Sequence, residues 1–302
     1  MAGTKKCVVI TGASGFLGYN LCAFMQGRWN VYGTYLSHPF SVSGCTAVPL
    51  DITRGDAVQN AVDRIRPSVI IHAAAISSPD DCEKNPASAQ AVNVDGTANI
   101  LEAARKCSCR VIYISTDMVF DGKKGGYSES DTPNPINFYG ATKRAAEMLC
   151  GRSSAVCTVV RITLQYGRGN SAHASFTDRL ITQLRQGHRV RLFTDQFRSP
   201  SFVMDTLRGL ESAACRMPPD RLYHLSGPEK IDRYSFGMIL ASVFHFPDGL
   251  LRKAVMDDVA LQAPRPRDVS LNGERFCKQF AFKPVSIHEG LKAMAAQARS
   301  SM

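Results

Sequence analysis

K-C-V-V-I-T-G-A-S-G-F-L-G, residues 6–18, decides the fold of this chain. Lys6–Thr11 is a continuous β-prone apolar run, the pattern of a parallel strand buried on both faces. It passes without a linker into Gly12, Gly15 and Gly18, and then into an apolar helical stretch that reaches Met25. Strand, glycine turn and helix in that order form a phosphate cradle. Glycines allow the tight turn and let backbone N–H groups approach a pyrophosphate at the helix N-terminus. The spacing is G-x-x-G-x-x-G, one residue longer at the first gap than the common fingerprint. The turn predicts dinucleotide binding by Gly12, Ser14, Gly15, Phe16, Leu17 and Gly18.

Working outward, strands and helices alternate. Asn30–Tyr35 reads as a second strand, Thr46–Leu50 as a third, Val69–Ala75 as a fourth, Arg110–Ser115 as a fifth and Thr158–Ile162 as a sixth. Asp56–Ile65 and Pro86–Lys106 read as helices between them. This alternation implies an α/β, Rossmann-type doubly wound parallel sheet, with ligands held beyond the carboxyl ends of the strands. We expect residues 1–160 to form the cofactor domain. Residues 161–302 would add the remaining strands, interleaved with a small substrate lobe.

An acidic residue at the end of the second strand would grip the ribose 2′-OH of NAD. Here the chain offers Thr34, Tyr35, Leu36, Ser37 and His38, with no carboxylate before Asp51. A hydroxyl and an imidazole tolerate a 2′-phosphate that a carboxylate would repel, so the expected cofactor is NADP(H), with NAD(H) second. Asp51 and Ile52 are candidate adenine contacts. Ala73, Ala74 and Ala75 are small enough to let the cofactor pass close to backbone. His72, inside the apolar run, reads as a core histidine.

Composition narrows the function. The chain has 302 residues, 44% of them hydrophobic and 21% charged, and no apolar run of membrane-spanning length, so it is expected to be soluble and cytoplasmic. Ten scattered cysteines read as reduced thiols, and no ligand pattern for a metal accompanies Cys107 and Cys109. The net charge of +10 divides into +2 over residues 1–160 (15 basic, 13 acidic) and +8 over 161–302 (21 basic, 13 acidic). No basic run with interleaved aromatics suggests nucleic acid. A basic second half suits a small anionic ligand.

Asn137–Lys143, N-F-Y-G-A-T-K, places Tyr139 and Lys143 four residues apart, on one face if helical. A nearby ammonium favours the phenolate, so Lys143 is expected to lower the Tyr139 pKa for proton exchange.

T-G-A-S-G-F-L-G, H-A-A-A, N-V-D-G-T, S-T-D-M-V-F-D-G and Y-G-A-T-K-R-A-A-E together resemble an extended short-chain dehydrogenase/reductase. More narrowly, Ser115–Gly122, Asp195–Ser201 (D-Q-F-R-S-P-S) and Arg265–Leu271 (R-P-R-D-V-S-L) resemble the dTDP-4-dehydrorhamnose reductase group. The resemblance implies Thr116, Tyr139 and Lys143 as catalytic residues. It adds Asn93 and Ser115 to the cofactor contacts and places Ser77, Asp117, Met118, Val119, Arg198 and Arg265 on the substrate side. It implies reduction of a 4-keto-6-deoxy nucleotide sugar by hydride from the nicotinamide and a proton from Tyr139. Related dehydratases carry Asp-Glu after the threonine; Asp117-Met118 lacks the glutamate. Two positions depart from the reductase pattern: Met118 stands where tyrosine is usual, and Arg198 where glycine is usual. The group also takes in the regulatory beta subunit of methionine adenosyltransferase, which binds a partner enzyme, so that role, a homodimer and other reductase or epimerase chemistry stay open.

Overall fold

In a computed structural model, which describes residues 5–169, 174–216 and 220–299, seven parallel strands form one central sheet. They are β1 (Cys7–Thr11), β2 (Asn30–Tyr35), β3 (Cys45–Pro49), β4 (Val69–His72), β5 (Arg110–Thr116), β6 (Cys157–Ile162) and β7 (Leu222–Leu225). Their spatial order is 3-2-1-4-5-6-7. The reversal of strand order beside β1 opens the crevice in which doubly wound sheets bind ligands.

The run of apolar residues in β1 has a direct structural meaning. Val8 and Ile10 face one core while Val9 faces the other, and in β4 Val69 and Ile71 oppose Ile70 in the same way. Helices cover both faces, so these strands are apolar on both sides except at their carboxyl ends, where Thr11 and His72 lie buried. Helices α1 (Phe16–Met25), α2 (Gly55–Ile65), α3 (Pro79–Lys84), α4 (Pro86–Gln90), α5 (Gly96–Lys106) and α6 (Phe138–Arg152) belong to the first half. Helices α7 (Phe176–Arg185), α8 (Val203–Cys215), α9 (Arg233–Phe244), α10 (Glu274–Phe280) and α11 (Ile287–Arg299) follow. No helix among the described residues is long and apolar enough to cross a membrane.

Three expectations about the elements change. The fourth strand ends at His72, and Ala73–Ala75 continue as irregular backbone against the crevice. The single helix expected over Pro86–Lys106 is interrupted by a π turn at Ala91–Asp95. There the Asn93 side chain turns inward to bind the backbone of Ile76, and the Thr97 hydroxyl binds the Asn93 carbonyl, so the helix widens locally. The boundary placed at residue 160 falls within β6; β7 is one of the sheet strands that residues 161–302 were to add.

That second half adds short ladders. Val190–Phe193 pairs with Leu251–Ala254, Phe197–Arg198 with Ile231–Asp232, and Ser201–Phe202 with Gln165–Tyr166. A small third core of Val119, Phe120, Tyr127, Val269 and Leu271 fastens the segment after β5 to the 263–271 segment. Phe197 N donates to Arg267 O (2.7 Å) and Asp268 N to Gly122 O (3.1 Å). Three motifs far apart in sequence are therefore one substructure.

Candidate active site

A crevice of about 1040 Å³ runs over the carboxyl ends of β1, β2, β4, β5 and β6. At one end lie Gly12, Ser14, Gly15, Phe16, Leu17 and Gly18, joined by Tyr35, Ser37, His38, Asp51 and Ile52. Ala73, Ala74, Ala75, Ser77 and Ser115 wall its middle. Thr116, Asp117, Met118, Tyr139, Lys143 and Arg198 lie further along.

The glycine end fits a dinucleotide. Gly12 has φ +68°, and a Cβ there would sit 2.7 Å from the Ala74 Cα. An L side chain is thus excluded by conformation and by space. Gly15 caps α1 without any side-chain hydrogen bond to the first-turn N–H groups, which leaves them for an anion.

At the reacting end, Asn137 caps α6 by accepting from Gly140 N at 2.8 Å, so the helix begins one residue before Tyr139. Gly140 is required by contact. A Cβ on it would stand 2.2 Å from the Met118 carbonyl oxygen, and its absence lets α6 lie against the turn after β5. Tyr139, part-buried, is thereby brought to Thr116. The Thr116 hydroxyl donates to Asp117 Oδ1 (3.1 Å) and accepts from Met118 N (3.2 Å).

The electrostatics differ from the expected Lys143–Tyr139 coupling. Burial raises the Tyr139 phenol well above its ordinary pKa, with the Asp117 charge adding to the rise and the Thr116 hydroxyl opposing it. Lys143, 3% exposed, is itself desolvated, which lowers its pKa to about 8. Its ammonium lies over the Tyr113 ring, 4.2 Å from the centroid. Without bound ligands the phenol keeps its proton.

One turn beyond Lys143, Glu147 accepts from Arg161 Nε and Nη2 (both 2.7 Å) and from Ser115 Oγ (2.6 Å). Burial would raise the Glu147 carboxyl, but the Arg161 guanidinium outweighs it and holds the pKa below the usual range. This buried pair ties α6 to the ends of β5 and β6. Arg161 also contacts His224 Nε2 at 3.2 Å.

Three expected residues fall outside the crevice lining. Asn93 is buried behind the wall, where it holds Ile76 and Thr142. Val119 is fully buried in the third core. Arg265 is the main correction. Its guanidinium is paired with Asp80 at 2.8 Å and also donates to Ala263 O at 2.9 Å, fastening the 263–268 segment to α3. Arg198 does line the crevice, 4% exposed, with Nη1 on the Phe197 carbonyl (2.6 Å) and Nη2 on that of Pro266 (3.3 Å). Its Nε stands 3.8 Å from Asp117 Oδ2, an oxygen with no hydrogen-bond partner.

Two arginines escaped the sequence reading. Arg179 lines the crevice from α7, and Arg233 stacks on Phe176 at 3.8 Å. Desolvation lowers the Arg233 pKa, and the positive charges of Arg198 and Arg179 lower it further. No motif marks either residue. Only the +8 balance of the second half pointed to such a cluster.

Two buried histidines make stability acid-sensitive. Burial lowers both His72 and His224 to about 3, aided at His72 by Lys143 and at His224 by Arg161. A base whose folded pKa lies below its unfolded value of about 6.5 stays neutral in the fold while the unfolded chain takes up a proton. Stability is therefore full above about pH 6.5 and falls as pH drops towards 3. Each histidine contributes up to about 1.4 kcal/mol per pH unit. Urea midpoints should decline steadily from pH 7 to pH 5; a flat profile would remove both groups from the acid response.

The crevice, its glycine cradle and the Thr116/Tyr139/Lys143 constellation define a dinucleotide-binding α/β protein with the arrangement of a carbonyl reductase. A family model described as the RmlD substrate binding domain matches residues 5–300, and the chain belongs to this family. Methionine adenosyltransferase 2 subunit beta of Bos taurus is 29% identical over 282 residues, covering 90% of this chain and 81% of that protein. The dTDP-4-dehydrorhamnose reductase of Aggregatibacter actinomycetemcomitans is 28% identical over 311 residues, 96% of this chain and 99% of the other. The crystal structure of the Bacillus anthracis dTDP-4-dehydrorhamnose reductase in complex with NADP superposes with a TM-score of 0.87 at 27% identity, covering 97% of this chain and all of that one.

Proposed function

We propose that the chain is an NADPH-dependent reductase of a 4-keto-6-deoxy nucleotide sugar. The observation that carries this reading is the single crevice that joins the glycine cradle to Thr116, Tyr139 and Lys143. The dihydronicotinamide would supply the hydride to the carbonyl carbon. Tyr139 would give its proton to the carbonyl oxygen, Thr116 would hydrogen-bond that oxygen as charge develops, and Lys143 would hold the cofactor ribose. Arg198 and Arg179 face the same crevice with Arg233 close by, and guanidinium groups suit the two phosphates of a nucleotide diphosphate. Asp117 Oδ2, buried 3.8 Å from Arg198 Nε, helps to hold that guanidinium beside the crevice.

Oxidation of NADPH by purified protein supplied with dTDP-4-keto-6-deoxy sugars tests the reading directly. A steady loss of absorbance at the cofactor wavelength is expected, and none with any sugar of this class would sink it. The absence of a carboxylate among Thr34–His38 predicts tighter binding of NADPH than of NADH. Two fluorescence titrations decide this, and a preference for NADH would mean that another group holds the ribose.

The relatives named as methionine adenosyltransferase subunits support a second reading, an NADP-binding regulatory subunit. It predicts that the chain co-purifies with a methionine adenosyltransferase catalytic subunit and changes its kinetics, with no NADPH turnover.

A further inference from the structure

His72 is one of the most buried polar residues of the chain, and the residues around it fix the state of its ring. The Thr97 hydroxyl lies 2.7 Å from the Asn93 carbonyl, which can only accept, so Thr97 spends its one proton there. At 3.1 Å from His72 Nε2, the same hydroxyl oxygen must therefore accept, and Nε2 carries the ring proton. On the other side, Thr11 Oγ1 accepts from Ala74 N (3.1 Å) and lies 2.7 Å from His72 Nδ1. A bare Nδ1 takes the Thr11 proton. A protonated Nδ1 would leave that buried hydroxyl hydrogen with no acceptor.

The result is one directed chain of hydrogen bonds. It runs from the Ala74 backbone through Thr11, His72 and Thr97 to the Asn93 carbonyl. The Asn93 side chain continues it, accepting from Ile76 N (2.8 Å) and donating to Ile76 O (3.1 Å) and to Thr142 Oγ1 (3.0 Å). Thr142 in turn donates to the Tyr139 carbonyl (2.8 Å). Thr11 directly precedes the Gly12 turn, Ala74 and Ile76 wall the crevice, and Tyr139 is the proposed proton donor. Every link is buried or part-buried, so any donor left unmet would be costly.

We propose that His72, held as the neutral Nε2–H tautomer, is a positioning residue that couples the cofactor wall to the helix bearing Tyr139. The statement about the wall rests on the cofactor assignment above; the tautomer does not. His72 is not among the lining residues and acts through Thr11 on Ala74 and through Thr97 on Asn93 and Ile76. A ring of equal size without nitrogens would fill the space but release the wall at Thr11 and the π turn at Thr97.

Imidazole ¹⁵N NMR of the intact, ligand-free protein reads the tautomer. The expected signature is Nε2–H throughout about pH 5 to 8. An Nδ1–H ring, or a titration in that range, overturns the proposal even if no variant folds. Fluorescence titration with NADPH then compares His72→Phe, which keeps the ring volume, with His72→Gln, whose amide offers one acceptor and one donor at similar separation. His72→Phe should raise the Kd for NADPH about tenfold while retaining a cooperative melt, and His72→Gln should stay within about threefold of the unaltered protein. An unchanged Kd in His72→Phe, or equal weakening in both variants, shows that ring polarity does not position the wall. If the unaltered protein binds no NADPH, the cofactor assignment fails while the tautomer result stands.

Discussion

Replacing Tyr139 by phenylalanine is expected to lower NADPH-dependent turnover by about 10²-fold or more, with the Kd for NADPH nearly unchanged. The substitution keeps the ring and the α6 backbone but removes the proton that burial holds on the phenol. Thr116 still accepts from Met118 N and can turn its hydroxyl proton from Asp117 to the carbonyl oxygen, so orientation survives while proton donation does not. Stopped single-turnover measurements separate the two, because the hydride step should slow with binding amplitude intact. Turnover within a few-fold of the unaltered protein would take Tyr139 out of the chemistry and move the proton source elsewhere in the crevice.

The second large effect concerns stability. Arg161 and Glu147 side chains are 1% and 3% exposed; removing Arg161 leaves the buried carboxylate only the part-exposed Arg144, at 3.2 Å, as a counter-charge. Arg161→Met should cost about 3–5 kcal/mol in urea unfolding, whereas Arg161→Met combined with Glu147→Leu should recover much of that loss, since paired apolar replacements avoid the orphaned charge. Equal losses in the single and double variants would show that packing around His224 and Phe120, not charge, dominates the site. The single variant should also lose activity, because Glu147 holds Ser115 and stands one turn from Lys143.

Legibility in the sequence followed the range of the interactions. The β1–Gly12–α1 unit is local: its apolar run, its glycines and its helix are contiguous, and the doubly wound sheet follows from their repetition. Tyr139 and Lys143 were visible because their spacing matches one helical turn and Asn137 marks the start. The π turn at Ala91–Asp95 was invisible because its cause lies across space, in the capture of Ile76 by Asn93. Arg265 illustrates the same limit. Its motif suggested an anion contact, but Asp80, 185 residues away in sequence, neutralises it. Arg179 and Arg233 carry no local signature at all and become neighbours of Arg198 only through the lobe's short ladders. The lowered tyrosine pKa was also misjudged, since spacing conveys proximity along a helix but nothing of the burial that dominates here.

The position of β7 has a consequence for biosynthesis. Strand β6 ends at Ile162, and its outer neighbour is not made until Leu222–Leu225. During translation at about 5–20 residues per second, the growing chain displays an unpaired, apolar edge for roughly 3–12 s before the strand that covers it leaves the ribosome. Self-association during that interval competes with completion of the sheet. Truncated forms that end shortly after Ile162 keep this edge open permanently and should accumulate as aggregates, so the first half is poorly suited to expression on its own.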